Sequence, residues 1–250
     1  MKIVVCVKRV PDTALKVKIG SDRKSIEKGD VEYIVSPYDE IAVEHAIRFK
    51  EKTPGTEVVV VTLGPADSEK NMRTCLAMGA DRGILLQSNA DTMDSFNVAK
   101  ALSDAISQEK PDLVLFGIKA TDTDSSQVGA IVSMLLGIPF LSTVVSFSLE
   151  NGKIKADSEV ESGHLVLQST IPCALSIQKS NVDPRICSLI NIRKAKQKEL
   201  KIVPVDIPND HFEIEKMELP AERTGGKIVG HGPDAVKELL RLLHEEAKVI

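Results

Sequence analysis

No apolar run in this 250-residue chain approaches the ~20 residues that cross a bilayer, so no membrane-inserted segment is expected. The four cysteines, Cys6, Cys75, Cys173 and Cys187, are scattered and form no C-x-x-C pair. That pattern excludes a disulfide framework or zinc site and predicts reduced thiols in a cytoplasmic protein. Neither charge dominates: 32 Lys+Arg against 36 Asp+Glu leave a net −4, which argues against nucleic acid as the main partner. No G-x-G-x-x-G follows the first strand-like run, and no P-loop or G-x-S-x-G elbow occurs anywhere. An ordinary NAD-dependent Rossmann enzyme, a P-loop ATPase and an α/β-hydrolase are therefore disfavoured. The five histidines (His45, His164, His211, His231, His244) lack ligand-like spacing, and no acid–base pair stands out. Residues 1–7 enter a strand directly, without the cleavage site of a signal peptide.

Hydrophobic content of 42% with 27% charged residues excludes a disordered chain. The length fits one large domain, or one domain with an arm, burying roughly 70–75% of its extended-chain surface. β-Branched runs at 2–7, 57–63, 83–87, 112–117 and 140–145 read as strands. Val58-Val59-Val60-Val61 and Leu113-Val114-Leu115-Phe116 do not alternate, as expected of parallel strands covered on both faces. Helices fit the gaps: 38–52, one from Asp67 to a stop at Gly79, one from near Asp94, and one from near Ser125 to just before Gly137. Such alternation predicts an α/β fold with a doubly wound, mostly parallel, Rossmann-like sheet. After residue 145 the pattern changes. Segments 146–149 and 153–157 around Asn151-Gly152 predict a hairpin, and 165–168 with 173–177 a further strand pair. The chain then reads as loop from Asn181, as basic from Arg193 to Lys201, and as an arm with a terminal helix at about 234–247. The predicted organisation is an α/β domain over 1–205 and a C-terminal arm over 206–250.

Ligands of open α/β sheets bind outside the carboxyl ends of the strands, where strand order reverses. The loops expected there are 8–12, 36–39, 64–66 and 117–127. The last combines a glycine, a polar loop and paired hydroxyls at a helix start, the layout for a phosphate on a helix N-terminus. A carboxylate about 5 Å from a phosphate costs roughly 3 kcal/mol at an effective dielectric of 20. Asp122 and Asp124 should then face a ribose, cap the helix or hold the loop, leaving Ser125, Ser126 and backbone amides for the phosphate. The plainer alternative is that Asp124 and Ser125 only cap a helix. A D-x-D metal site lacks a third ligand nearby. These residues point to a binder of an adenine nucleotide more than to a catalyst acting through side chains.

Residues 183–192 carry surplus apolar side chains just before the basic Arg193-Lys194-Ala195-Lys196-Gln197-Lys198. An exposed Leu189 beside a positive patch suits transient docking, since burying a leucine contributes about 2 kcal/mol and charges raise the encounter rate. The alternatives are that Leu189 is core and that the basic run is a solvated helix start.

Several stretches, taken in order and spacing, resemble the β subunit of electron transfer flavoproteins over about residues 1–205. They are V-K-R-V-P-D (7–12), S-P-Y-D-E-I-A-V-E (36–44), L-G-P-A (63–66), L-A-M-G-A-D-R-G (76–83), D-L-V-L-F-G (112–117), T-D-T-D-S-S-Q-V-G (121–129), D-P-R (183–185) and N-I-R-K-A-K (191–196). The resemblance implies a heterodimer with an α subunit that carries most of the site for a redox FAD. It implies AMP bound here by Cys6, Ser36, Pro37, Tyr38, Asp39, Leu63, Gly117, Ile118, Lys119, Ala120, Thr121, Asp122, Thr123, Asp124, Ser125, Ser126, Gln127 and Val128. A recognition loop near 181–196 would dock flavin-dependent dehydrogenases through Leu189, Arg193, Lys194 and Lys196, and the 206–250 arm would contact the partner subunit. Thr13 stands where many members place a tyrosine, and Ser158 where a basic residue is usual. Ser126-Gln127-Val128-Gly129 is closer to NADH-linked, electron-bifurcating members, which bind a second FAD in place of AMP. A stand-alone adenine-nucleotide-binding regulator or hydrolase is the reading from another class.

Overall fold

The computed structural model describes all residues except 15, 28, 30, 90–93 and 222–224, the last three of which lie in the C-terminal arm. In chain order the elements are β1 (Lys2–Cys6), β2 (Arg9–Pro11), β3 (Tyr33–Val35), α1 (Pro37–Lys52), β4 (Glu57–Gly64), α2 (Ser68–Met78), β5 (Arg82–Gln87), α3 (Ser95–Glu109), β6 (Leu113–Gly117) and α4 (Val128–Leu136). There follow β7 (Phe140–Glu150), β8 (Lys153–Val160), β9 (Gly163–Thr170), β10 (Cys173–Ile177), α5 (Leu189–Ala195), β11 (Leu200–Pro204) and α6 (Val236–Glu245).

Nine strands form one sheet in the order β11-β5-β4-β1-β6-β10-β7-β8-β9. From β11 to β7 every neighbouring pair is parallel, and only β7-β8-β9 run antiparallel. Alternate residues of the same strand feed opposite faces. Ile3 and Val5 pack with Val43, Ile47, Met72 and Leu76 of α1 and α2. Val4 and Cys6 pack with Ala99, Leu102 and Ile106 of α3 and Val132 of α4. Fully burying each such aliphatic side chain contributes about 1.5–3 kcal/mol, which is why the doubly covered runs lack polar residues. The fold is thus α/β, doubly wound and mostly parallel, with an antiparallel extension. No helix among the described residues is long and apolar enough to cross a membrane.

Three expectations need correction, and the hairpin is not among them: 146–149 pairs antiparallel with 154–157 as expected. Its first arm continues the strand begun at Phe140, with a register shift between Val144 and Ser146 that bends β7 into its partner. The Asn151-Gly152 turn is as expected, with φ positive at both residues. Segments 165–168 and 173–177 do not pair with each other, because β9 stays at the sheet edge while β10 inserts between β6 and β7. The chain after Asn181 is not all loop, since α5 and β11 form there and β11 closes the far edge against β5. Finally, α4 begins at Val128, not near Ser125; Asp124 (φ 50°) and Ser126 (φ 53°) take left-handed backbone that interrupts a helix.

Beyond β11, only Leu242 is buried among the described residues of 206–250. The start of this segment is nevertheless fixed. The Asn97 amide donates to the carbonyls of Pro208 and Asn209, and Asp94 accepts from the His211 amide at 2.7 Å. Lys24 then pairs with Glu213, and the Met217 amide donates to the Arg23 carbonyl at 2.6 Å.

Candidate functional site

The strand order reverses at β1: the chain moves from β1 to β4 and β5 on one side, then crosses to β6 on the other. The crevice of a doubly wound sheet opens at such a point. Here the carboxyl ends of β1 and β6 are tied together by one side chain. Asp39, in the first turn of α1, accepts from the Lys8 amide through Oδ2 (2.7 Å) and from the Gly117 amide through Oδ1 (3.0 Å). Gly117 permits this approach, since a Cβ there would fall 2.4 Å from Asp39 Oδ1. Burial pushes the Asp39 carboxyl up to about 7, against the two amide donors and Lys8, with Asp122 adding to the rise. A carboxylate at the positive end of α1 fits the helix dipole, but desolvation is the larger effect.

Around this bridge stand hydroxyls without partners. Ser36 precedes α1 at its N-cap position yet makes no capping bond, and its Oγ is fully buried and unpaired. Thr121 Oγ1, in the loop after β6, is likewise buried and unpaired, as is Ser68 Oγ at the start of α2. Buried polar atoms normally find partners, so three orphans along one sheet edge mark it as different from the rest of the surface.

The loop 118–127 is held by lysines. Lys8 Nζ pairs with Asp122 (2.7 Å), and Lys119 Nζ with Asp124 (2.8 Å). Both aspartates therefore hold the loop, and neither they nor Ser125 cap α4, whose N-cap Gln127 makes no side-chain bond. Residues 122–127 are exposed, with Ser125 Oγ reaching 3.5 Å from Ser95 Oγ at the start of α3. Cys6 is buried at the end of β1, and desolvation, then Asp39, keeps its thiol well above the ordinary range.

Of the residues singled out from sequence, Cys6, 36–39, 117–118 and 121–122 converge on this edge. Leu63 lies one strand away and packs, half-buried, against the α3–α4 face. Ser125 and Ser126 are exposed, Ser125 beside Ser95 at the start of α3. Lys8 takes part through both its amide and its ammonium, and Thr62 fixes the end of β1 by donating to the Val7 carbonyl at 2.6 Å. The legible signal for Ser68 was its place just after the strand–turn G-P-A. A separate cleft of about 870 Å³ lies away from the switch point, between β2–β3 and α2. There the Arg9 guanidinium stacks 3.6 Å over the Tyr33 ring and pairs with Asp67, which explains why Asp67 does not cap α2 with its side chain.

The second feature is apolar. Leu189 is the first residue of α5 and is 78% exposed; Ile186 and Ile190 beside it are exposed as well. The core alternative for Leu189 is thereby excluded. Ser188 caps α5 by accepting from the Asn191 amide, while Arg193 and Lys194 occupy its last turn, where cations complement the dipole. Arg193, Lys194 and Lys196 are all exposed.

Residues 25–208 match the electron transfer flavoprotein domain family. The whole chain is similar to the electron transfer flavoprotein subunit beta of Bradyrhizobium diazoefficiens, 38% identical over 100% of both chains. It is 33% identical to that of Dictyostelium discoideum, over 100% of this chain and 99% of that one, and 35% identical to that of Homo sapiens, over 96% of each. With a doubly wound sheet, a bridged switch point and full-length similarity all in agreement, this chain belongs to the electron transfer flavoprotein family, among its β subunits.

Proposed function

We propose that this protein is the β subunit of a heterodimeric electron transfer flavoprotein, binding AMP at the sheet edge around Asp39 and helping to receive electrons from flavin-dependent dehydrogenases. It works with an α subunit and is a carrier component, not a complete enzyme alone. The single observation that carries the nucleotide reading is the Asp39 bridge, which gathers 6–8, 36–39 and 117–122 at the switch point.

The residues there fit an adenine nucleotide. Ser36 Oγ and Thr121 Oγ1 offer buried hydroxyls that lack protein partners. The start of α4 offers uncapped amides for a phosphate. Lys8 and Lys119 pair with Asp122 and Asp124, so a phosphate near these aspartates does not face uncompensated negative charge. FAD, held mainly by the α subunit, supplies the redox chemistry. The residues of this chain bind, orient and dock: Leu189 inserts into the dehydrogenase, and Arg193, Lys194 and Lys196 steer the encounter. The 206–250 arm contacts the α subunit, a role supported by the exposed Val236, Leu239 and Leu240 on α6. The reduced, unpaired cysteines support a cytoplasmic location.

A second reading replaces AMP by a second FAD in an NADH-linked, bifurcating complex. It is favoured by Ser126-Gln127-Val128-Gly129 and by the exposure of 122–127, which leaves the edge beyond Thr121 open to a larger dinucleotide. The deciding experiment is to purify the complex from its host, denature it and quantify nucleotides per heterodimer. One FAD with one AMP supports the first reading, and two FAD without AMP the second. Finding neither flavin nor a second subunit overturns both.

A further inference from the structure

Between Arg185 and Ala195, Cys187 is the one residue that is not exposed. Cys187 packs against the core and α5 lies against α2, and the orientation of the exposed side chains between is further fixed by the two ends of the stretch. The C-terminal end is held by buried Ala195 and by Arg73, whose guanidinium donates to the carbonyls of Ala195 (2.9 Å) and Lys198 (2.8 Å). The N-terminal end is held by Arg185. Its Nε and Nη2 donate to Glu44 at 2.8 and 3.1 Å, its backbone amide donates to the same carboxylate at 3.2 Å, and its Nη1 donates to Glu51 at 2.7 Å.

Glu44, like Asp39 more than a turn before it on α1, is buried: its side chain is only 1% exposed. Glu44, Arg48 and Glu51 stand at i, i+4 and i+7, one face of the helix. Arg48 closes on Glu44 at 2.7 Å, so the buried carboxylate meets two guanidinium groups. A fork held by two carboxylates fixes direction as well as distance, which a lysine in its place does not. Directly after it, Ile186 is 98% exposed.

We infer that Glu44 is a positioning residue for docking: its clamp on Arg185 presents Ile186, Leu189 and Ile190 to the partner in one orientation. This rests on the reading of the Leu189 stretch as the dehydrogenase-docking surface. When the clamp is absent the stretch samples other orientations, and apparent affinity falls by the fraction of time it is competent. Competence about one-tenth of the time raises KM about tenfold, and the rate within the docked complex does not change.

The test uses the intact heterodimer and a purified flavin-dependent dehydrogenase from the same host, chosen because it reduces the unsubstituted heterodimer. Glu44→Gln removes the charge at constant shape, and Arg185→Lys keeps the charge and loses the fork. For both, the expected result is a KM for the heterodimer raised about tenfold, kcat within twofold, unchanged FAD and AMP content, and faster amide exchange confined to 186–194. Arg185→Lys guards against failure of Glu44→Gln to fold, because Arg48 still pairs with the buried carboxylate. Leu189→Ala separates the clamp from the docking surface that it presents. A raised KM for Leu189→Ala with normal values for Glu44→Gln and Arg185→Lys overturns the clamp and leaves the docking reading standing. A normal KM for Leu189→Ala overturns the docking reading itself. A fall in kcat at unchanged KM in the clamp variants also overturns the positioning role.

Discussion

Asp39 Oδ1 lies 3.0 Å from the amide nitrogen of Gly117, and a Cβ on Gly117 would come within 2.4 Å of that oxygen and 2.8 Å of the Tyr38 carbonyl carbon. The start of α1 and the end of β6 thus touch at a contact that only glycine allows. Gly117→Ala is expected to force these elements apart, lowering stability by about 1–3 kcal/mol, the usual range for overpacking. It should also reduce the adenine nucleotide that co-purifies. Thermal unfolding and nucleotide content measure the two effects separately.

Two buried groups give the pH dependence opposite signs. Asp39 is pushed from 3.8 to about 7, first by burial, so the native state holds its proton longer than the unfolded chain does. Its contribution is complete below about pH 4 and is lost as pH rises to about 7. His45 is pushed from 6.5 to about 4, first by burial against Phe147, so the unfolded chain takes up its proton first. That contribution is complete above pH 6.5 and is lost as pH falls towards 4. Between pH 4.5 and 6.5 the two slopes oppose. Each pKa unit corresponds to 1.36 kcal/mol, so each group alone amounts to a few kcal/mol, on the order of 3–4. Urea midpoints of the wild type should vary little across this window, whereas Asp39→Asn should leave stability rising with pH. A wild-type midpoint that falls steadily from pH 4.5 to 6.5, unchanged in Asp39→Asn, would contradict the assignment.

The orphan hydroxyls give a test with a built-in contrast. Ser36→Ala and Thr121→Val remove buried groups that no protein atom satisfies, so the nucleotide-free protein should be as stable as wild type or slightly more so. If these hydroxyls bind the nucleotide, each loss should weaken its affinity about two- to tenfold, the equivalent of one neutral hydrogen bond. Calorimetric titration with AMP reads the affinity, and unfolding of the stripped protein reads the stability. Destabilised apo-protein with unchanged affinity would show that the hydroxyls serve the fold alone.

Leu189→Ala should leave the fold untouched, because the side chain is 78% exposed. Electron acceptance from a dehydrogenase should weaken by a factor corresponding to about 2 kcal/mol of lost apolar burial, roughly 30-fold in apparent affinity. Flavin and AMP content should be unchanged. Loss of flavin in this variant would contradict a docking role.

The parallel core was legible because its signal is local. Val58 to Val61 and Leu113 to Phe116 are apolar without alternation, and only strands covered on both faces need that. Helix limits followed from local chemistry too: Asp94 accepts from the Asn97 amide at the start of α3, and Gly137 at φ 66° ends α4. The candidate site was legible in outline, since the sheet topology puts the loops after β1 and β6 at one edge whatever their detailed path.

What sequence alone could not decide were relationships between distant segments. β10 lies between β6 and β7, and nothing in Cys173 to Ile177 distinguishes that slot from pairing with β9. The start of α4 moved to Val128 because Asp122 and Asp124 are occupied by lysines and the backbone turns left-handed at Asp124 and Ser126. Leu189 could equally have been core or surface, and its exposure follows from where Arg185 and Ala195 are anchored on α1 and α2. The sequence by itself determined the layers, because burial of apolar runs is a property of each segment. Only the tertiary structure decided that Asp39 bridges Lys8 to Gly117 and that Glu44 holds Arg185, because each links residues far apart in the chain that packing alone brings into reach.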